Sequence, residues 1–318
     1  MSYMKNTEKI HAKRGFAFLL TLCLIALMFC FTGCNSSQGE EADQADEEKA
    51  AAETKARTEK LYDDFIKGTG RALYTGQADR AVYLTIGEDL TAGKAYTLEE
   101  IMDAARYADQ DTVYSITKGP EFQRIDCGQD GNEELLLTAF LNEEFTLYMV
   151  LKDIDGVLTI CYDQDGWSRS DVTVEEDGKI ISGGSGGAAV HYTDYAYLDA
   201  DGNYKYYYGI EHTLTLFGDV YVFTRDNEFQ MISAEKLDGE HLGFSHYYFD
   251  PGYMHTEHYY VPFAVDDDYN EVEHPEKSSA LAQLKDAFKK IGVKTYTQEE
   301  VEKILEARAE KIGYPKGK

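Results

Sequence analysis

The chain has 318 residues with 31 Lys and Arg against 58 Asp and Glu, a formal charge of −27. Neutralising phosphates needs clustered basic side chains, so this acidity excludes a general nucleic-acid binder and opposes docking on anionic lipid through a basic face. Twenty-five Tyr and fifteen Phe against only five Pro describe a folded, β-rich body, long enough to bury a sizeable core.

In chain order, Lys5, Lys9, Lys13 and Arg14 come first, followed by an uncharged apolar run over residues 16–31. A spanning helix needs about 20 such residues, whereas a secretory h-region is shorter and sits behind positive charge. An uncleaved membrane anchor is the competing reading. The run ends in Phe31-Thr32-Gly33-Cys34, which resembles the bacterial lipobox, with Phe31 where that motif usually has Leu, Val or Ile. The resemblance implies that residues 1–33 are a removable signal and that Cys34 becomes the diacylglycerol-bearing N-terminus. The membrane, reached through this lipid, is then a partner, and the chain works on the outer face of the cell membrane. From Cys34 onward the balance is 27 basic against 57 acidic groups. Residues 34–60 are Ser, Gln, Ala, Glu and Lys with almost no apolar surface, and read as a disordered acidic tether that permits transient helix.

The body, residues 61–265, opens with a helical signal over 59–67. A second helix starts at Thr97, where Thr97-Leu98-Glu99-Glu100 is a capping box and Leu98, Ile101, Met102 and Ala105 form one stripe. Between about 112 and 264 the pattern changes to short runs rich in Tyr, Val, Thr and Phe: 134–141, 145–152, 157–162, 179–182, 190–198, 204–210 and 220–224. Asp-Gly pairs at 155–156, 165–166, 177–178 and 201–202 predict tight antiparallel turns. Residues 266–318 form an acidic connection followed by two helices, one marked by Leu281, Leu284, Phe288 and Ile291 and closed by Gly292. The other is capped by Thr297 and Glu300 and carries Val301, Ile304, Leu305 and Ile312. The expected fold is α+β, an antiparallel β meander sheet flanked by N-terminal and C-terminal helices.

Four groups of residues carry candidate chemistry. Asp126, Asp130, Asn132 and Glu134 crowd oxygens around Gly131, as a calcium loop requires. Position 3 of such a loop is Gly128 and position 12 is Leu137, so an EF-hand is excluded. A non-helical calcium loop competes with an ordinary Asp/Asn/Gly turn, and other acidic turns (Asp153 with Asp155, Asp163 with Asp165, Asp199 with Asp201 and Asn203) pose the same choice. The tyrosine clusters around Tyr207, Tyr247 and Tyr259 could form an aromatic binding platform or simply alternate in and out of a sheet. Cys127 and Cys161 are an even pair that either bridges or stays as two buried thiols. Gly183-Gly184-Ser185-Gly186-Gly187 formally matches G-x-S-x-G, but strand-like residues follow where a hydrolase elbow needs a helix. His255 and His258 would point to opposite faces of a strand, so a zinc site needs a bulge or loop there, and with His241 and His246 they otherwise read as surface or packing residues.

Residues 121–210 resemble a module of lipoproteins from Gram-positive gut bacteria. The match lies in Asp126-Cys127-Gly128-Gln129-Asp130-Gly131-Asn132-Glu133-Glu134-Leu135-Leu136 and in Gly183-Gly184-Ser185-Gly186-Gly187 leading into His191-Tyr192. The resemblance implies location and a β-sheet body, without an activity. The expected function is a lipid-anchored, non-catalytic binding or interaction module for an envelope or extracellular ligand, with no cofactor unless calcium binds. An envelope hydrolase using carboxylates and a structural calcium protein are the alternatives.

Overall fold

The computed structural model describes residues 37–76, 90–106, 116, 118–141, 145–224, 226, 228–251, 257–267, 270–272 and 279–315. The export signal, Cys34, Tyr253 and His255 lie outside the described residues. The chain divides into two compact units, Met1–Ala56 and Arg57–Lys318. Helix α1 (Ser37–Ile66) runs through both. The segment expected to be disordered thus contains helix from Ser37, because its Ala, Glu and Lys are strong helix formers even without an apolar stripe. Among the described residues no helix is long and apolar enough to cross a membrane.

The second unit is mostly an antiparallel sheet. Its elements are β1 (Ala72–Tyr74), β2 (Ala95–Tyr96), α2 (Leu98–Arg106), β3 (Lys118–Ile125), β4 (Glu134–Phe140), β5 (Phe145–Ile154), β6 (Val157–Trp167), β7 (Ser170–Val174), β8 (Lys179–Ser185), β9 (Val190–Leu198) and β10 (Tyr204–Thr213). There follow β11 (Asp219–Phe223), β12 (Phe229–Ser233), β13 (Leu242–Tyr248), β14 (His258–Ala264), α3 (Ser279–Lys290) and α4 (Gln298–Ile312). Strands β3 to β10 neighbour one another in sequence order, and β13 and β14 extend the sheet beyond β10. The hairpin β11–β12 stands apart as a two-stranded sheet, and β1 adds the one parallel pairing recorded among these strands, on β6. This is the expected α+β meander. Both capping boxes form, with Thr97 and Glu100 exchanging hydrogen bonds ahead of α2 and Thr297 and Glu300 doing so ahead of α4.

One expected turn does not exist. Asp165-Gly166 lies inside β6, paired with Leu147 and Thr146 of β5, and the strand continues to Trp167. Gly166 serves there as a close-approach residue: an added Cβ would sit 3.3 Å from the Ser170 carbonyl and the Val172 nitrogen. Trp167 ends the strand and stacks on Phe145 with ring centroids 6.4 Å apart.

The sheet is strongly curled. Tyr162 of β6 and Tyr204 of β10 stack with centroids 5.9 Å apart, although four strand spacings in a flat sheet span roughly 19 Å. Ile125, Leu136, Val150, Tyr162, Val172, Ile180, Ala196 and Leu198, drawn from seven strands, form one core cluster inside the curl. The opposite face carries a second core, in which Tyr62, Phe65, Ile101 and Ala105 pack with Leu137, Leu147 and Met149. Phe288 of α3 packs edge-on to Phe244, and Val301 and Leu305 of α4 cluster with Ile210, Tyr247 and Tyr259.

Candidate functional site

The Asp126–Glu134 stretch closes the curl. After β3 the chain makes a tight turn in which Asp126 N–H donates to the Glu176 carbonyl at 2.8 Å, tying the β3 end to the β7–β8 turn. Gly128 has φ of 78° and the Ala200 backbone 2.5 Å from where its Cβ would be, so no side chain fits at the third loop position. Asp126 accepts from Gly131 N–H, and Asp130 accepts from Asn132 N–H at 2.8 Å and from its side-chain amide at 3.0 Å. Glu134 turns the other way. It is 1% exposed, accepts from Cys127 N–H at 2.7 Å and pairs with the Lys152 ammonium. Burial works against both charges, raising the Glu134 carboxyl, while the bond to Glu134 holds Lys152 above the usual lysine range. The four proposed calcium donors are therefore not brought together, and among the described residues no group of three His, Cys, Asp or Glu side chains is placed to hold a metal. Cys127 and Cys161 are both buried free thiols. The bridge allowed by their spacing is absent, and burial raises both thiols far from the reactive thiolate range.

The expected tyrosine platform is covered by the chain itself. Tyr247 and Tyr259 are 5% and 8% exposed beneath α4. Tyr207 donates its hydroxyl to the Leu305 carbonyl at 3.0 Å and lies 4.2 Å from the Tyr314 ring, and Tyr247 donates to the Gln298 side chain at 3.0 Å. Arg308 locks the arrangement, donating to the carbonyls of Tyr206, Tyr207 and Phe249. The apolar stripe of α4 needs an apolar face, and these rings supply it.

A different aromatic surface lies on the inner side of the curl. Beyond the apolar plug of Val150, Ile180 and Ala196, strand alternation continues that face through Tyr148, Ser182, Asp194 and Tyr192, all half-buried. Three tyrosines there lie against glycines of neighbouring strands. A Cβ on Gly184 would stand 2.5 Å from the Tyr192 hydroxyl, one on Gly209 would stand 2.1 Å from the Tyr248 ring, and one on Gly166 would touch the Tyr148 ring at 3.6 Å. Gly184 faces Tyr192 and Gly209 faces Tyr248 directly across the ladder. With no side chain beneath them the rings fold down over the sheet and form a floor. Asp194 sits in that floor, accepting from Tyr206 at 2.6 Å and from Tyr248 at 3.1 Å. Burial raises its carboxyl, and the two hydroxyl donors offset part of that rise. Tyr206 and Tyr248 belong to the tyrosine clusters around Tyr207 and Tyr247, whereas Asp194 does not stand out among so many carboxylates. The available signal was glycine inside strands, which marks close approach.

The same face continues to two imidazoles. His246 and His258, opposite each other's neighbours on β13 and β14, are hydrogen-bonded at 2.8 Å (Nε2 to Nδ1) and buried, with Phe223 stacked 4.8 Å from His258. Burial depresses both, His258 to about 4, so both are neutral at pH 7. On β6, Asp163 and Asp165 project on one side two residues apart, and burial with the Asp163 charge raises Asp165 to about 7. Ser185 is engaged by its own loop, donating to the Gly187 carbonyl at 2.6 Å, and strand β9 follows it.

Compared with known proteins, the chain matches no family model, no curated protein and no solved structure.

Proposed function

We propose that this chain is an extracytoplasmic lipoprotein, held at the outer face of the cell membrane by diacylglycerol on Cys34, whose body is a non-catalytic binding module for an envelope ligand. The anchoring half rests on the basic residues before the apolar run and on the lipobox-like Phe31-Thr32-Gly33-Cys34. The likeness of residues 121–210 to Gram-positive lipoproteins supports the same address. The binding half rests on the inner floor, where the half-buried Tyr148 and Tyr192 fold over glycines beside Asp194, which Tyr206 and the buried Tyr248 hold by hydrogen bonds. Ring faces alternating with hydroxyl and carboxylate groups match the apolar faces and hydroxyls of a cell-wall glycan. Retention of the protein on insoluble cell-wall sacculi tests this. Tyr192→Ala and Asp194→Asn are each expected to weaken retention about tenfold, and retention that is absent or indifferent to both substitutions ends the reading. The address has its own test: labelled palmitate marks the wild-type protein in a Gram-positive host and fails to mark Cys34→Ala.

One observation favours a second reading, a carboxylate hydrolase of the envelope. Asp165, raised to about 7 beside Asp163, has the pKa of a general acid. Turnover of a wall polymer that disappears in Asp165→Asn would establish it in place of the first.

A further inference from the structure

The hairpin β11–β12 breaks the usual rule for a two-stranded surface element. Its inner face is sound: Val222 and Ile232 are buried with Leu216, Leu242 and Phe244 in the core shared with α3. An antiparallel hairpin packed on one side presents polar residues on the other. Here the outer side carries Tyr221 and Met231, directly opposite each other in the ladder, with Phe229 two residues from Met231 and Phe217 just before the first strand. These side chains are 65%, 48%, 64% and 69% exposed. Scattered exposed apolar residues need no explanation, whereas four large ones gathered on one hairpin mark an interaction surface.

The surrounding charge says what kind of partner fits. Residues 216–240 hold Asp219, Asp226, Glu228, Glu235, Asp238 and Glu240 against Arg225 and Lys236. Asp219 flanks Tyr221 on the same strand face, and Glu228 adjoins Phe229; both carboxylates are exposed. Among the described residues, neither forms an ion pair with a basic side chain. An anionic membrane or an acidic polymer would meet this rim with like charge, and a purely apolar partner would leave its carboxylates facing a desolvated edge.

We infer that the outer face of β11–β12 docks a cationic polypeptide segment that carries Lys or Arg beside large apolar residues. The apolar residues cover Tyr221, Phe229, Met231 and Phe217 while the basic ones meet Asp219 and Glu228 at the rim. Aromatic anchors inside a charged rim are the usual layout of such an interface, with the rim setting specificity and encounter rate and the anchors setting residence time. This surface is separate from the tyrosine floor, and its test does not depend on that reading.

The test uses the full chain and three short labelled peptides of equal length: alternating Lys and Leu, alternating Glu and Leu, and alternating Lys and Ser. Fluorescence anisotropy is expected to show the Lys–Leu peptide binding about tenfold or more tightly than either control, weakening as salt rises from about 50 to about 500 mM. Tyr221→Ser with Phe229→Ser is expected to lower its affinity about tenfold, and Asp219→Asn with Glu228→Gln several-fold. All four side chains are exposed, so an unchanged circular dichroism spectrum accompanies the loss. The inference is overturned if the Lys–Ser peptide binds equally well, which would report overall charge alone, or if the Tyr221 and Phe229 changes leave binding intact. It is equally overturned if those changes instead abolish association with phosphatidylglycerol vesicles or a dimer seen by sedimentation.

Discussion

At Gly209 the whole argument for the floor turns on a missing carbon. The Tyr248 ring and the Asp194 carboxylate both pass within 2.4 Å of the place a Cβ would occupy. Gly209→Ala therefore has to push the ring off Asp194, and overpacking of this kind costs about 1–3 kcal/mol. The expected outcome is a fall in Tm of about 3–10 °C, with weakened retention on sacculi, measured on the same preparation. Two titrating groups make opposite contributions to acid stability. Asp165 binds its proton more tightly folded, near 7, than unfolded, near 3.8, so its contribution is lost as pH rises between those values. His258, near 4 folded and 6.5 unfolded, behaves in the reverse sense: its contribution is complete above about 6.5 and is lost as pH falls toward 4. Urea midpoints measured from pH 4 to pH 8 are expected to climb more steeply with pH in Asp165→Asn, where only the histidine slope remains, and to fall with rising pH in His258→Asn, where the Asp165 slope is left unopposed. The same midpoints moving in parallel for all three proteins would contradict both assignments.

The elements show where local chemistry and tertiary demand agree. Helices α2 and α4 begin where their capping boxes lie, since Thr97 with Glu100 and Thr297 with Glu300 satisfy backbone donors from within four residues of sequence. Turns at Asp155-Gly156 and Gly202 form with positive φ for the same local reason. Asp165-Gly166 has identical letters and forms no turn, because both residues find ladder partners on β5. Helix α4 illustrates the reverse dependence: its apolar stripe was visible in sequence, but that it would land on Tyr207, Tyr247 and Tyr259 was not. Arg308 is the fastener, with three backbone carbonyls bound and its guanidinium 4.5 Å above the Phe249 ring. Arg308→Ala is expected to cost about 2–4 kcal/mol and to speed hydrogen exchange selectively across α4. Lys at this position should rescue little, because one ammonium cannot span a fork of three acceptors. Uniform exchange across the sheet and α4 would argue against that role.

For the molecule as a whole, a charge of −27 sets the background against which every contact works. Exposed i,i+4 pairs such as Lys60–Asp64 and Lys303–Glu299 contribute little each. Net repulsion among the remaining carboxylates should therefore dominate the salt response, and Tm is expected to rise by a few degrees on adding about 0.15 M sodium chloride. A fall in Tm measured by calorimetry would mean that the ion pairs outweigh the repulsion. Glu134–Lys152, the most deeply buried ion pair among the described residues, is the least screened by salt.

Composition, alternation and capping motifs were sufficient by themselves for an acidic α+β chain with an antiparallel meander and two capped helices, because each depends on residues close together in sequence. The curl of the sheet was decided only in three dimensions. It brings Tyr162 against Tyr204, turns Glu134 away from Asp126 toward Lys152, and seats α4 over the tyrosines that spacing alone offered as a binding face. It also builds a half-buried floor whose makers are glycines, residues that leave no mark on hydrophobic periodicity. Side-chain period tells which residues share a face of a strand; which face is covered, and by what, is set by long-range packing that no local pattern encodes.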